Sequence, residues 1–260
     1  MAMPKSKQIK INNLEMAYGS FVVMRDLNFI VEAGKVTVIM GGSGCGKSTL
    51  LRHMIGLHEP SKGSILYGDM NFTAASEKEQ DEMKQRFGVL YQGGALWSSM
   101  TLEENISLPL QTYTKLKPDE IRDVVSLKLS LVGLSGFEEF LPGQLSGGMR
   151  KRAALARAIA LDPDFLFLDE PSAGLDPVTS KRLDELILQL RDTLGATIVV
   201  VSHELASIFA IADHAIYLDA ISKRMTAQGL PTKLKADVTD SGVREFLSRG
   251  SSSLTSTGRD

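Results

Sequence analysis

One run constrains the fold of this chain more than any other: VTVIMGGSGCGKST, Val36–Thr49. Val36–Met40 reads as a buried strand, Gly41-x-x-x-x-Gly46-Lys47-Ser48 follows, and a helical pattern begins at Lys47. Glycine lets the backbone curl until successive N–H groups converge, and the helix that follows adds the positive end of its dipole. A loop of this kind cradles phosphate. Gly41, Gly42, Ser43, Gly44, Cys45, Gly46, Lys47, Ser48 and Thr49 are therefore candidate nucleotide-binding residues. Lys47 is set to neutralise the β- and γ-phosphates, and the Ser48 hydroxyl to ligate Mg²⁺. Thiolates are stabilised near helix N-termini, yet no base partners Cys45 in sequence, so it reads as a small filler in the loop.

A strand running into a helix through such a loop needs a sheet to sit in. Phe87–Tyr91, Phe165–Leu168 and Thr197–Val201 are further short apolar runs with the look of buried strands. Helical patterns alternate with them at Lys47–Leu57, Pro118–Val132, Gly147–Leu161, Val178–Leu194 and Glu204–Ala212. Buried strands alternating with helices imply a mainly parallel α/β sheet. Ile9–Tyr18 and Val22–Val31 alternate more loosely and are expected to pair antiparallel. From about Gly93 to Gln144 no buried strand is legible, and Pro118-Asp119-Glu120 makes a good helix start. This part is expected to be a mostly helical insertion. Ser251–Asp260 is rich in Ser, Thr and Gly and is expected to be disordered.

FLFLDEP, Phe165–Pro171, ends an apolar strand in two carboxylates. Ligands of parallel sheets sit at the C-terminal ends of the strands. Asp169 is placed to hold the Mg²⁺ shell, and Glu170 to orient or deprotonate an attacking water.

Leu145–Met149 is LSGGM, followed by RKRAALARAIALDPD and then the acidic strand. With these motifs in this order the chain resembles an ABC transporter ATPase over about Ile9 to Gly229. The resemblance implies a P-loop NTPase (RecA-like) core, an antiparallel β subdomain and a helical subdomain of about residues 93–155 carrying the signature, all within one domain of residues 1–250. It implies ATP hydrolysis with Mg²⁺ as cofactor. It also implies a head-to-tail homodimer in which each ATP lies between one copy's glycine loop and the other's Leu145, Ser146, Gly147 and Gly148. The physics agrees, since Ser146 is a good N-cap and the two glycines leave their amides bare for a γ-phosphate. Arg150, Lys151 and Arg152 crowd the first turn of that helix, where cations oppose the dipole, and a nearby polyanion would relieve them. By position, Tyr18 resembles the aromatic that stacks on adenine. Gln92 resembles the glutamine linking the Mg²⁺ and water site to the membrane partner. Asp176 resembles the aspartate that touches the opposite site, and His203 the switch histidine on the γ-phosphate.

YQGGALWSSMTLEENISLPL, Tyr91–Leu110, narrows the resemblance to ATPases of Mla-type and Mce-type phospholipid transporters, with Trp97 where those have Phe. Ala95, Leu96, Trp97 and Met100 are apolar on an expected surface loop and suit a docking partner. The expected partners are an integral membrane permease and a lipid-binding Mce-domain protein. The expected location is the cytoplasmic face of a bacterial inner membrane, held there through the permease. An amino-acid or lipoprotein transporter would share all of this chemistry. A non-transport ABC ATPase working on DNA or the ribosome would be expected to carry coiled-coil insertions, zinc motifs or two cassettes in tandem, whereas this sequence has one cassette, no heptad run and no zinc-type cysteine pair. A P-loop kinase would lack LSGG and the switch histidine. A formal net charge of −2 offers no basic field for nucleic acid, so none is expected as partner. The single cysteine permits no intramolecular disulfide. The polar Met1–Lys10 lacks the apolar core of a signal peptide, and no run approaches the roughly 18 apolar residues that span a bilayer.

Overall fold

The structure is a computed structural model that describes residues 6–237 and 240–248. The expected tail at 251–260 lies outside them. In chain order the elements are β1 (Ile9–Tyr18), β2 (Phe21–Val31), β3 (Val36–Gly41), α1 (Lys47–Met54), β4 (Lys62–Tyr67), β5 (Met70–Asn71), α2 (Glu77–Lys84) and β6 (Phe87–Leu90). Then come α3 (Leu102–Tyr113), α4 (Pro118–Leu131), α5 (Gly147–Ala158), β7 (Phe165–Asp169), α6 (Pro177–Leu194) and β8 (Thr197–Val201). The chain continues through α7 (Leu205–Ile211), β9 (His214–Asp219), β10 (Arg224–Gly229), α8 (Pro231–Asp237) and α9 (Ser241–Ser248).

One sheet runs β10-β9-β3-β8-β7-β6, parallel throughout except for the antiparallel β9–β10 edge. A second, β2-β1-β4-β5, is antiparallel. Alternate residues of the same central strands feed two different cores, because strand side chains alternate faces. Leu166, Leu168, Ile198 and Val200 pack with α3–α7 on one face. Phe165, Phe167, Val199 and Val201 pack with α1 and the antiparallel sheet on the other. Covering both faces leaves β7 and β8 wholly buried, hence their unbroken apolar sequences. Residues 93–155 carry α3, α4 and most of α5, with no strand among them.

The expected α1 overran its true end by three residues. Gly56 takes a left-handed φ of 73°, its N–H bonds the His53 carbonyl, and the Leu57 N–H bonds the Arg52 carbonyl. That αL closure satisfies the last carbonyls and stops the helix.

Candidate functional site

The C-terminal ends of β3, β7 and β8 open onto a cleft of about 740 Å³. Its floor is the glycine loop. Gly41 has φ 150°, and a Cβ there would sit 2.5 Å from the Leu218 carbonyl oxygen. No other residue fits that close approach. Gly46, at φ 95°, is the N-cap of α1. Lys47 Nζ donates to the Gly41 and Gly42 carbonyls, both at 3.0 Å, holding the loop curled from within.

At the end of β7 the Ser48 hydroxyl donates to Asp169 Oδ1 at 2.9 Å. Glu170 follows with φ 49°, a left-handed conformation that costs a non-glycine residue roughly 1–3 kcal/mol. The Glu170 N–H still donates to the Val201 carbonyl at 2.9 Å, so the bend is braced by β8. It turns the carboxylate to the cleft, where Oε1 lies 2.7 Å from His203 Nδ1. The other oxygen, Oε2, is buried with no hydrogen-bond partner among the described residues. Donation by Nδ1 to a carboxylate leaves Nε2 of His203 for a second group, and only the imidazolium has both nitrogens as donors.

Of the residues singled out from sequence, Tyr18, Gly41, Gly42, Ser43, Gly44, Gly46, Lys47, Ser48, Thr49, Gln92, Glu170 and His203 line this cleft. Asp169 reaches it through Ser48. Cys45 does not line it. Its side chain is 2% exposed and packs in the core beneath the loop, and burial pushes its thiol up from the ordinary value. Only the Cys45 main chain is left to serve the cradle. Thiol labelling of Cys45 is therefore expected to be slow with or without nucleotide.

Leu145, Ser146, Gly147, Gly148 and Asp176 also lie outside the cleft of their own chain. Leu145 is buried in the core. Ser146 caps α5 by accepting the Met149 N–H at 3.3 Å. Asp176 caps α6, accepting the Val178 and Thr179 N–H groups at 3.0 Å. The Thr179 side-chain hydroxyl foremost, and then these N–H groups, hold its carboxyl below the ordinary range.

The cations after the signature do not wait for a polyanion, contrary to expectation. Arg150 donates to the Leu145 carbonyl at 3.0 Å, and Arg152 to those of Val132 and Gly133 at 3.0 Å. Lys151 is buried and donates to the main-chain carbonyls of Gln92 and, at 3.2 Å, Glu170. Burial lowers its pKa, while Asp169 and Glu170 pull the other way. Lys151 thus ties the β6 end to the β7 end, a role invisible in sequence because its acceptors are backbone. The lining residues Phe21, Val23, Leu205 and Phe246 were also missed. Phe21 had the signal of an aromatic three residues after Tyr18; Lys223 Nζ lies 4.5 Å over its ring.

The loop after Gln92 is framed by hydrogen bonds. Asn105 accepts the Trp97 N–H at 2.8 Å and donates toward the carbonyls of Trp97, Met100 and Thr101 at 3.1, 3.0 and 2.9 Å. Arg157 donates to the Ala95 and Gly94 carbonyls at 2.7 and 3.2 Å. Leu96 packs inward against the core, whereas Trp97 is 58% exposed.

A family model described as ABC transporter matches residues 24–173. The chain is 41% identical over 244 residues to the probable ribonucleotide transport ATP-binding protein mkl of Mycobacterium bovis, a match covering 94% of this chain and 67% of that protein. It is 40% identical over 239 residues to the intermembrane phospholipid transport system ATP-binding protein MlaF of Escherichia coli, covering 92% of this chain and 88% of the relative. Among solved structures, a dimeric ATP-binding cassette in a post-hydrolysis state with ADP and Pi superposes with TM-score 0.78 at 27% identity, over 85% of this chain and 98% of that one. The cassette cbiO1 of Clostridium perfringens superposes with TM-score 0.81 at 29% identity, over 88% of this chain and 90% of that one.

Proposed function

Since this chain belongs to the ABC transporter family, we propose that two copies of it close on two ATP molecules and so drive a membrane permease whose cargo is phospholipid or a similar lipid. The chain itself is the nucleotide-binding, ATP-hydrolysing subunit of a transporter, with the P-loop NTPase fold of ABC cassettes. The proposed unit is one ATPase domain, residues 1–250, whose helical part spans about residues 93–155.

The carrying observation is the division of parts. Glycine loop, Glu170 and His203 meet in one cleft, while Ser146, Gly147 and Gly148 face elsewhere. A γ-phosphate in the loop would meet those bare amides only if a second copy supplied them. The relative solved as a dimer supports that arrangement. Tyr18 stacks on the adenine in this reading, and Asp176 reaches the partner's site.

The residues present fit Mg²⁺. The Ser48 hydroxyl and Asp169 carboxylate are already 2.9 Å apart at the phosphate end, and Gln92 adds a neutral oxygen. Bound there, the ion would neutralise charge on the phosphate oxygens. Glu170 takes or steers the proton of the attacking water, His203 holds Glu170 and offers its other nitrogen to phosphate, and Lys47 steadies the negative charge.

No helix among the described residues is long and apolar enough to cross a membrane. Attachment to the cytoplasmic face of a bacterial inner membrane therefore runs through the permease, with Trp97 on the docking loop. A lipid-binding Mce-domain protein completes the proposed complex. Lipid is preferred to ribonucleotide as cargo because the chain spans 88% of the phospholipid relative but 67% of the other.

The test is Glu170→Gln. It is expected to keep ATP binding and ATP-driven dimerisation while losing roughly 10²–10⁴-fold in turnover. Turnover near wild type removes Glu170 from its role. Ser146→Arg should keep ATP affinity and lose dimerisation. Lipids that copurify with the complex from membranes identify the cargo.

A further inference from the structure

Asp184 is a carboxylate in the middle of α6, 5% exposed, on a helix that otherwise turns leucine and isoleucine inward at Leu183, Leu186, Ile187 and Leu190. An ionisable residue at such a place is a poor choice for packing and a costly one for solvation. Its burial raises the carboxyl's pKa, the Ser207 hydrogen bond opposes that, and Glu185 adds to it. Oδ1 has no hydrogen-bond partner among the described residues. A leucine would fill the space without these costs, so the carboxylate is there for what its other oxygen holds.

Asp184 Oδ2 accepts the Ser207 hydroxyl at 2.8 Å. Ser207 Oγ lies 3.4 Å from Ser172 Oγ and 3.4 Å from Ser180 Oγ. Ser172 and Ser207 are buried, and none of the four lines the nucleotide cleft. Yet Ser172 and Ser207 follow closely on residues that line it, and Ser180 and Asp184 belong to the helix that starts at Asp176, the residue proposed to reach the partner's site. Ser172 is two residues past Glu170, on the turn that carries the strained φ. Ser207 is four residues past His203, in the first turns of α7. Ser180 and Asp184 belong to α6, whose N-cap is Asp176. The segments that follow Glu170 and His203 and the helix capped by Asp176 converge on one hydroxyl, and that hydroxyl is oriented by one carboxylate.

We infer that Asp184 is a positioning residue for hydrolysis, setting through Ser207 and Ser172 the mutual placement of Glu170, His203 and the Asp176 turn. It does not touch nucleotide. A shift of several tenths of an ångström in the 2.7 Å contact between Glu170 and His203 impairs the chemical step more than ATP binding, which the glycine loop supplies. The inference rests on the roles given above to Glu170 and His203.

The experiment is steady-state ATP hydrolysis by the full chain assembled with its permease, for Asp184→Ala, Ser207→Ala, the double variant, Asp184→Asn and, as a control, Glu170→Gln. Both single alanine variants should lower kcat roughly 10-fold or more with KM for ATP within about twofold. The double should be no slower than the slower single, because both remove one interaction. Asp184→Asn keeps a side-chain oxygen for Ser207 and should recover most of the lost kcat. Thermal melts put rates on a per-folded-molecule basis. Should Asp184→Ala not fold, Ser207→Ala and Asp184→Asn still decide. Unchanged kcat, parallel changes in kcat and KM, additive losses, or an asparagine variant no better than alanine each overturn the inference. Loss of turnover in Glu170→Gln alongside unaffected Asp184 variants sinks this inference alone, whereas retained turnover in Glu170→Gln sinks the reading beneath it.

Discussion

Replacing Asn105 by alanine should loosen one loop by a predictable amount. Asn105 is 0% exposed, on the first turn of α3, and its amide makes four hydrogen bonds to the main chain between Trp97 and Thr101. Alanine removes the partner of the Trp97 N–H and of the Met100 carbonyl. The Trp97 and Thr101 carbonyls lose less, because the first still accepts the Met100 N–H at 3.2 Å and the second the Asn105 N–H at 3.0 Å. Two unpaired groups at about 1 kcal/mol each give about 2 kcal/mol. Water reaching the opened loop recovers part of that, and the vacated side-chain space adds a little, so the expected range is about 1–3 kcal/mol. For a chain of this length that corresponds to roughly 2–10 °C in Tm.

The assay is unusually local because the chain contains one tryptophan. Urea unfolding followed by Trp97 emission and by far-ultraviolet circular dichroism should give coincident curves for the native protein. In Asn105→Ala the Trp97 curve should move to lower urea ahead of the dichroism curve, and acrylamide should quench the emission more readily. Asn105→Asp should be worse than alanine, since a carboxylate would face three carbonyl oxygens. A loss below about 0.5 kcal/mol with unchanged quenching would refute the reasoning, because the four bonds would then carry no net energy.

Lys151→Met keeps the aliphatic stem but drops the ammonium from the Gln92 and Glu170 carbonyls; kcat should fall roughly 10–100-fold with ATP affinity retained, as read by single-turnover kinetics. In Gly148→Ala the new Cβ would sit 2.5 Å from Thr179 Cγ2, driving α5 from α6; adding Thr179→Ser, which deletes that methyl, should restore a good part of the lost ATPase rate. Asp164 bonds Lys7 at 2.9 Å and Arg86 at 2.6 Å. Burial alone would raise its carboxyl, but those two cations outweigh it and hold the folded-state pKa below the ordinary value. The stabilisation is therefore fully present above the unfolded value of about 3.9 and disappears as pH falls through the folded one. Asp164→Asn should destabilise at neutral pH and flatten the decline of stability below about pH 4, measured by urea midpoints from pH 7 to pH 2.5.

What sequence reveals of this fold depends on whether the signal is local. The Thr197–Val201 strand was legible to the residue because a strand buried on both faces must be apolar throughout. β10, RMTAQG, was not, since an edge strand with alternating exposure needs no apolar pattern and is defined by its pairing to β9. β9 sits within an apolar stretch, residues 205–221, that Asp213, His214 and Asp219 interrupt. Those polar residues instead mark its two ends, with Asp213 accepting the Val36 N–H at 2.8 Å just outside it. The short β4, α2 and α8 escaped because each is too short for a period to show, whereas α9, SGVREFLS, carries buried Val243, Phe246 and Leu247 at helical spacing and was legible in principle. In the site, the glycine loop and the Asp169–Glu170 pair follow from neighbours in the chain. Lys151, Asn105 and Asp184 do not, because their partners are main-chain carbonyls or hydroxyls brought close only by the completed fold.

These hidden residues share a position that bears on how the chain could transmit force. α5 begins at Ser146, the proposed contact to the partner's phosphate. One turn later it sends Lys151 to Gln92 and Glu170, and two turns after that it sends Arg157 to Gly94 and Ala95. The loop that displays Trp97 is fixed to α3 by Asn105, and Ile106 and Leu110 of α3 share a core with Ala153, Ala154 and Leu155 of α5. The Trp97 loop, the Glu170 turn and the LSGG run are therefore tied to α5 by its own cations, and the loop also to α3 by a buried amide. If a permease docks at Trp97 as proposed, it cannot tilt α5 without straining the Gln92 and Glu170 carbonyls held by Lys151. By reciprocity, on the proposed dimer, closure of Ser146 on a partner's ATP is felt at Trp97. Cutting the Lys151 bolt should thus uncouple the two, leaving basal ATPase insensitive to the permease, whereas loosening the loop through Asn105 should weaken docking first.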